Sequence, residues 1–168
     1  IQNPLALNLY TLGYDSNKNI SELTNATKTN LATYLEQHRM LTDAINIKDA
    51  FVVNIDVNFK IRVSPGFNNQ EVLLNCIQSV QEFFNIDKWQ IGQPIIKSEI
   101  INVIIGINGV QSVQDIIYNN KSGESLGYSK YKYDIQSATI DDVIFPSLDP
   151  CIFEVKYPNI DIKGQIIT

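Results

Sequence analysis

The residues from Phe51 to Val63 alternate between apolar and polar side chains over an unusually long stretch. Every odd position is apolar, and the even positions include Asn54, Asp56 and Lys60. Such alternation is typical of a β-strand with one buried and one solvated face. At about 3.3 Å per residue, residues 50–63 would span roughly 45 Å, so we expect this strand to bend or to project beyond its own core.

Three segments have the apolar spacing of helices. The clearest covers residues 68–85, with Asn68 or Asn69 as the N-terminal cap. A helix near residue 30 is predicted to be capped by Ser21 or Thr24, and a shorter one to follow Pro94 and end at Gly106. The residues that share one face at helical spacing are Leu31, Tyr34, Leu35 and His38 in the first helix, Leu73, Ile77, Val80 and Phe84 in the clearest one, and Ile96, Ile100, Ile101 and Ile104 in the shorter one.

The order of these elements predicts an α+β fold with long strands of the antiparallel type, covered by helices on one face. The stretch "VQSVQDIIY" is predicted to form a further strand. After residue 120 the composition shifts to Gly, Ser, Tyr, Asp and Pro, and the alternation in "YKYDIQ" and "CIFEVKY" predicts short strands. We therefore expect an α+β core over residues 1–120, with an N-terminal extended segment and helix, and a β-rich C-terminal appendage over residues 121–168.

Composition narrows the possible partners. The 168 residues are 44% hydrophobic, which suits one domain with a real core, and the formal charge is −5. An acidic surface repels phosphate groups, so we expect neither nucleic acid nor a membrane as a partner. The apolar run at residues 100–107 is far shorter than the ~20 residues of a spanning helix. The first residues do not form a charged segment followed by an apolar one, so we expect no signal peptide. Because the sequence begins with Ile1 rather than Met, we expect it to be a piece of a longer chain.

Reactive side chains are few and badly spaced for catalysis. His38 is the only histidine, which excludes a metal site built on several histidines, and we interpret it as a packing or capping residue. Cys76 and Cys151 are far apart, and Cys76 falls inside the predicted helix, so neither a disulfide framework nor a zinc site is indicated. Asp141 and Asp142 are adjacent and are interpreted as a solvated turn rather than a carboxylate dyad. We expect no catalytic, cofactor-binding or metal-binding residues.

Four stretches carry a resemblance to a known family: "LNLYTLGYDSN", "TYLEQHRMLTDAINIKDAFVVNIDVNFKIRV", "NNQEVLLNCIQSVQEFFNIDKWQIGQPI" and "VIFPSLDPCIFEVKYPNIDIKG". Across essentially its whole length, the chain resembles the C-terminal part of the larger baseplate wedge protein of T-even type contractile-tailed bacteriophages. More distantly, it is similar to the J-like baseplate proteins of other contractile injection machines.

The resemblance implies a structural protein of the virion tail baseplate, without cofactor, assembled in the host bacterial cytoplasm. It implies that the C-terminal parts pair as homodimers, within and between wedges, to close a ring around the central hub, and that other wedge proteins are partners. Aromatic residues are enriched at interface cores. As a candidate self-association surface we therefore take the tail aromatics, which are Tyr128, Tyr131, Tyr133, Phe153 and Tyr157.

Two other functions remain open at this point. A receptor-binding or carbohydrate-binding virion module would also be β-rich, and Trp89 together with Tyr128, Tyr131 and Tyr133 could form a stacking platform for sugars. A phage-associated hydrolase would need paired carboxylates or a metal centre, which the spacing of the acidic residues does not provide.

Overall fold

The computed structural model describes residues 6–38 and 44–167. The chain forms two compact units, Ile1–Phe51 and Val52–Thr168. The domain boundary that the change of composition places after residue 120 stays a prediction. The α+β class is confirmed, because helices and strands alternate along both units.

The first unit pairs its two longer strands in parallel. Its described elements are β1 (Ala6–Thr11), β2 (Gly13–Tyr14), β3 (Ile20–Ser21), α1 (Asn25–Glu36) and β4 (Ala44–Asp49). β1 and β4 pair from Ala6↔Ala44 to Thr11↔Asp49, with α1 in the crossover between them.

Local side-chain bonds determine where the turn and the helix of this unit lie. The Asp15 carboxylate accepts the backbone N–H groups of Asn17 and Asn19 at 2.8 and 2.9 Å, which fixes the turn between β2 and β3. Thr24, one of the two predicted caps, accepts the N–H of Thr27 at 3.2 Å and begins α1. An ion pair between Lys28 and Asp49 holds α1 to β4.

The second unit is built around one long strand. Its elements are β5 (Phe51–Val63, whose first residue belongs to the first unit), α2 (Asn69–Phe83), β6 (Ile95–Ile96), α3 (Lys97–Ile105), β7 (Val110–Lys121), β8 (Thr139–Ile140), β9 (Val143–Ile144), β10 (Cys151–Glu154), α4 (Pro158–Asp161) and β11 (Ile162–Ile166). β5 pairs antiparallel with β7 and parallel with β11, and β10 is also its neighbour in the sheet. The three short strands form a separate sheet in the order β6-β9-β8.

The C-terminal extension does more than the composition predicts. β10 and β11 lie in the same sheet as β5, so the extension supplies strands to the central sheet. The strand predicted from "YKYDIQ" is wrong: residues 131–136 form no strand. Side chains hold this segment instead, since the backbone N–H of Tyr133 donates to Asn120 Oδ1 at 3.0 Å.

Helix α2 packs on β11 and helix α3 packs on β7, and both strands pair with β5, whose odd-numbered face is buried. Val53, Ile55, Val57, Phe59 and Ile61 on that face are all buried, as the alternation predicts. β11 passes close to α2 at Gly164, where there is no room for a side chain. A Cβ at this position would lie 2.6 Å from both Leu73 Cδ1 and Phe59 Cζ.

The buried face of α2 differs from the predicted one by part of a turn. Val72, Cys76 and Val80 are fully buried, whereas Leu73 and Ile77 are only half-buried. Cys76 behaves as a small hydrophobic residue, so the seam runs at intervals of four through positions 72, 76, 80 and 84. The predicted cap is confirmed: Asn68 Oδ1 accepts the N–H groups of Gln70 and Glu71 at 3.0 and 3.4 Å.

The even-numbered face of β5 is not solvated along its whole length. Asn54 is 0% exposed and Asp56 is 6% exposed, which corrects the expectation that one face of this strand is wet. Lys60 and Arg62, further along the strand, are exposed. Buried polar side chains need hydrogen-bond partners, and these come from residues far along the chain.

Candidate functional site

A cluster of buried polar groups lies at the first half of β5. Asn54 is its centre: its Nδ2 donates to Glu154 Oε2 at 2.7 Å, and its Oδ1 accepts the backbone N–H of Ser129 at 2.7 Å. Glu154 lies 100 residues away in the sequence and is 4% exposed. The amide of Asn120 donates to the backbone oxygen of Asn54 at 3.0 Å. Asn54 therefore connects β5, β7, β10 and the segment that follows β7.

Asp56, two positions further along β5, is neutralised within the chain. Lys121 Nζ lies 3.1 Å from its Oδ2. The side-chain amides of Asn119 and Asn58 donate to Oδ1 at 2.7 and 3.1 Å. A buried carboxylate is tolerated when it is paired and hydrogen-bonded in this way.

Asp161, the last residue of α4, joins two tyrosines of the C-terminal extension. Its carboxylate accepts the Tyr128 hydroxyl at 2.7 Å and the backbone N–H of Tyr157 at 3.0 Å, and it is 1% exposed. Burial, and then the hydrogen bond to Asp161, raise the pKa of the Tyr128 phenol. The hydroxyl therefore stays protonated and remains a donor.

This arrangement stabilises the fold, because each of the three buried carboxylates accepts a hydrogen bond from a residue far along the chain. Among residues 6–38 and 44–167, no group of three or more His, Cys, Asp or Glu side chains could hold a metal ion. Sequence patterns did not identify this cluster, since alternation classifies positions 54 and 56 as solvated and gives no sign of partners in residues 119–161.

The five tail aromatics are largely committed to contacts inside the chain. Phe153 is 1% exposed and packs edge-on against Tyr133, with ring centroids 5.7 Å apart. Tyr128 and Tyr157 form a second edge-on pair at 5.3 Å, and Lys130 lies over the Tyr131 ring at 5.3 Å. Phe153 therefore offers no surface to a partner, while self-association through the other four stays a prediction.

Trp89 does not join the tyrosines in a stacking platform. It is 8% exposed and packs against Phe84 and Phe83, with ring centroids 5.4 and 5.8 Å away. A sugar-binding platform needs an open ring face, so the platform considered for a carbohydrate-binding module is not formed by Trp89.

The structure also locates His38, Asp141 and Asp142, which the sequence analysis considered for catalysis. His38 is exposed, with its ring 5.0 Å from that of Tyr34. Asp141 and Asp142 have φ angles of 50° and 62° in the turn between β8 and β9, as their interpretation as a turn predicts. No helix among the described residues is long and apolar enough to cross a membrane.

Both cysteines are free and buried, and we expect neither to react in the folded protein. Burial raises the pKa of the Cys76 thiol to about 11, so at pH 8 only about one thousandth of it is thiolate. Titration with a colorimetric disulfide reagent at pH 8 should detect no thiol in buffer and both thiols in denaturant. Rapid reaction of a thiol without denaturant would contradict the burial of that site.

A cleft with both polar and apolar lining lies on the central sheet. It has a volume of about 370 Å³, and residues of three strands line it: Asn58, Phe59 and Lys60 on β5, Asp115, Ile117 and Asn119 on β7, and Lys163 and Gln165 on β11. Ile117 is 45% exposed at its centre. This face and the outer edge of β7 are accessible in the described part of the second unit.

Comparison with known proteins gives a weak structural likeness. No protein-family model matches the chain. No curated protein sequence matches it either. Among solved structures it is similar to a chain of "Cryo-EM structure of the anti-feeding prophage (AFP) baseplate, 6-fold symmetrised", with a TM-score of 0.44 and 14% identity over 87% of this chain. The match spans 26% of that chain, and a likeness of this size carries no argument about function.

Proposed function

We propose that this chain is a structural component of a contractile-tail baseplate wedge, and that it catalyses no reaction. In this proposal its copies pair to form the ring that joins the wedges around the central hub, with other wedge proteins as further partners. The observation that carries the proposal is the resemblance of the four long sequence stretches to the C-terminal part of the T-even wedge protein.

The buried polar cluster supports a mechanical role. Asn54 joins the central strand to the segment after β7 and to β10, and Asp161 joins β11 to the tyrosines of the tail. Distant parts of the chain are thus joined by hydrogen bonds, and the bonds to the carboxylates of Glu154 and Asp161 are of the charge-assisted kind, which is stronger than the neutral kind. A subunit that transmits force through its sheet benefits from such bonds, because they resist separation of the strands and segments that they join.

Localisation in intact particles tests the proposal. Antibodies raised against the purified chain should label the baseplate end of purified tails in electron micrographs, at positions repeated around the tail axis. Antibodies first absorbed with the purified chain serve as the control and should give no label. Label that is confined to the fibres or the capsid would exclude a wedge component. The absence of label on tails whose baseplate has been opened would exclude it as well.

A further inference from the structure

The outer edge of β7 has no strand partner among the described residues. One edge of β7 pairs with β5, and no other strand in residues 6–38 or 44–167 pairs with it. In the same part of the chain, no main-chain to main-chain hydrogen bond outside that ladder involves residues 111–121. Even Tyr133, which lies against this strand, bonds to the side chain of Asn120. An open row of N–H and C=O groups is a template for pairing with another chain.

Only the second half of β7 is regular enough for such pairing. Register shifts between Lys60 and Ile61 and between Arg62 and Val63 make the first half irregular, and bulges of this kind protect an edge. From Asp115 to Lys121, by contrast, each residue faces one residue of β5. The outer edge of β11 is a poorer template, since that strand runs only from Ile162 to Ile166.

The charges of this regular segment are complementary to themselves. Asp115 and Lys121 are the only charged residues of β7, they stand at the two ends of the segment, and their side chains are 46% and 37% exposed. When two copies of the segment run antiparallel about Tyr118, each Asp115 faces the Lys121 of the other copy. A parallel, in-register pairing would set like charges against each other, which is unfavourable.

We propose that the Asp115–Lys121 edge of β7 binds the same edge of a second copy of this chain, antiparallel and centred on Tyr118. This inference rests on the proposed function and assigns the surface through which two copies pair. The contact is isologous, so one edge suffices for both subunits, and the two central sheets become continuous.

The present ion pairs of these two residues leave room for the partner. Lys97 Nζ is 3.9 Å from Asp115, a distance beyond a hydrogen bond. Lys121 holds Asp56 at 3.1 Å, and its ammonium has three donors, so it can bind a second carboxylate at the same time. The exposed Ile117 would stand opposite Asn119 of the other copy, on the polar face of both sheets.

A charge exchange tests the register. Asp115→Lys alone and Lys121→Glu alone each place like charges in both cross-strand positions, so each variant should dimerise about tenfold or more weakly than the natural chain in sedimentation velocity. A one-to-one mixture of the two variants restores opposite charges at both positions and should recover the dimer. Lys163→Glu, which has the net charge of Lys121→Glu but lies on β11, should leave dimerisation unchanged, and thermal unfolding verifies that each variant is folded.

Site-specific cross-linking tests the same register without relying on charge. Positions 117 and 119 face each other across the proposed pair, at the ~5 Å Cβ separation of cross-strand neighbours. A mixture of Ile117→Cys and Asn119→Cys chains should form a disulfide-linked dimer on mild oxidation, whereas each variant alone should not. Both natural thiols are buried and supply no competing cross-link.

The outcomes separate this inference from the proposed function. If the chain forms a dimer that is unaffected by the charge exchange and gives no 117–119 cross-link, the two copies pair through another surface. That result would overturn the β7 register. A natural chain that stays monomeric at about 100 μM, with no cross-link in the mixture, also overturns it. Neither result touches the baseplate location, which the antibody labelling of tails decides.

Discussion

Replacing Val80 by Asp is expected to unfold the second unit. Val80 is 0% exposed on the seam of α2, in a core whose neighbouring residues on that helix are apolar. An unpaired carboxylate at such a site costs several kcal/mol, roughly 4 or more, which is comparable to the total stability of a domain of this size. Circular dichroism during heating should show no cooperative transition, or one at a far lower temperature.

Leu74→Asp is the matched control for Val80→Asp. Leu74 lies on the same helix and is 54% exposed, so the same chemical change there should shift the free energy of unfolding by no more than about 0.5 kcal/mol. A Val80→Asp protein that melts like Leu74→Asp would mean that α2 does not cover the sheet. Ile77, which the sequence places at the centre of this face, is half-buried and should respond with an intermediate loss.

The apolar core follows from the sequence because each part of it depends on local periodicity. The odd positions of β5 from Val53 to Ile61 are buried as their alternation predicts, the side chain of Asn68 caps α2, and α3 ends directly before Gly106. The prediction for α2 put Leu73 and Ile77 on the buried face, one position C-terminal to Val72 and Cys76, which are the residues buried there. With Cys76 counted as apolar, the run Val72, Cys76 and Val80 predicts the observed seam.

The polar cluster could not be predicted in the same way. Its bonds join residues whose separation along the chain reaches 100 positions, and no local pattern reports such a distance. Alternation assigns Asn54 and Asp56 to the solvated face, and only the return of the chain after β7 and along β10 and β11 buries them. The strand predicted over residues 131–136 failed for a related reason, because alternation supplies a buried face but no neighbouring strand.

The composition of the tail did not reveal where its aromatic side chains lie. Aromatic enrichment is the same whether rings meet a partner or meet each other, and here Tyr133 with Phe153 and Tyr128 with Tyr157 pair inside the chain. The edge of β7 was not identified from the sequence as an interface. Its signals, a regular half-strand that ends in opposite charges, become visible only when the register with β5 and the bulges are known.

Asn54→Asp is expected to destabilise the second unit strongly while hardly changing the shape of the side chain. The substitution replaces the Nδ2 donor, 2.7 Å from Glu154 Oε2, by a second carboxylate oxygen. Two like charges would then meet where both residues are at most 4% exposed, which should cost about 3 kcal/mol or more. Urea unfolding at pH 7 measures the loss, and Asn75→Asp, at an exposed position of α2, is the matched control.

The pH dependence of that loss distinguishes charge repulsion from a change of packing. In the folded variant the two carboxylates are close together, and their repulsion favours binding of a proton. In the unfolded chain they are far apart, so the folded variant binds more protons than the unfolded one as the pH falls. The stability difference between the variant and the natural chain should therefore shrink from pH 7 towards pH 4. A deficit that stays constant over this range would assign it to lost shape complementarity, and a negligible deficit at pH 7 would show that Asn54 does not bind the buried carboxylate of β10.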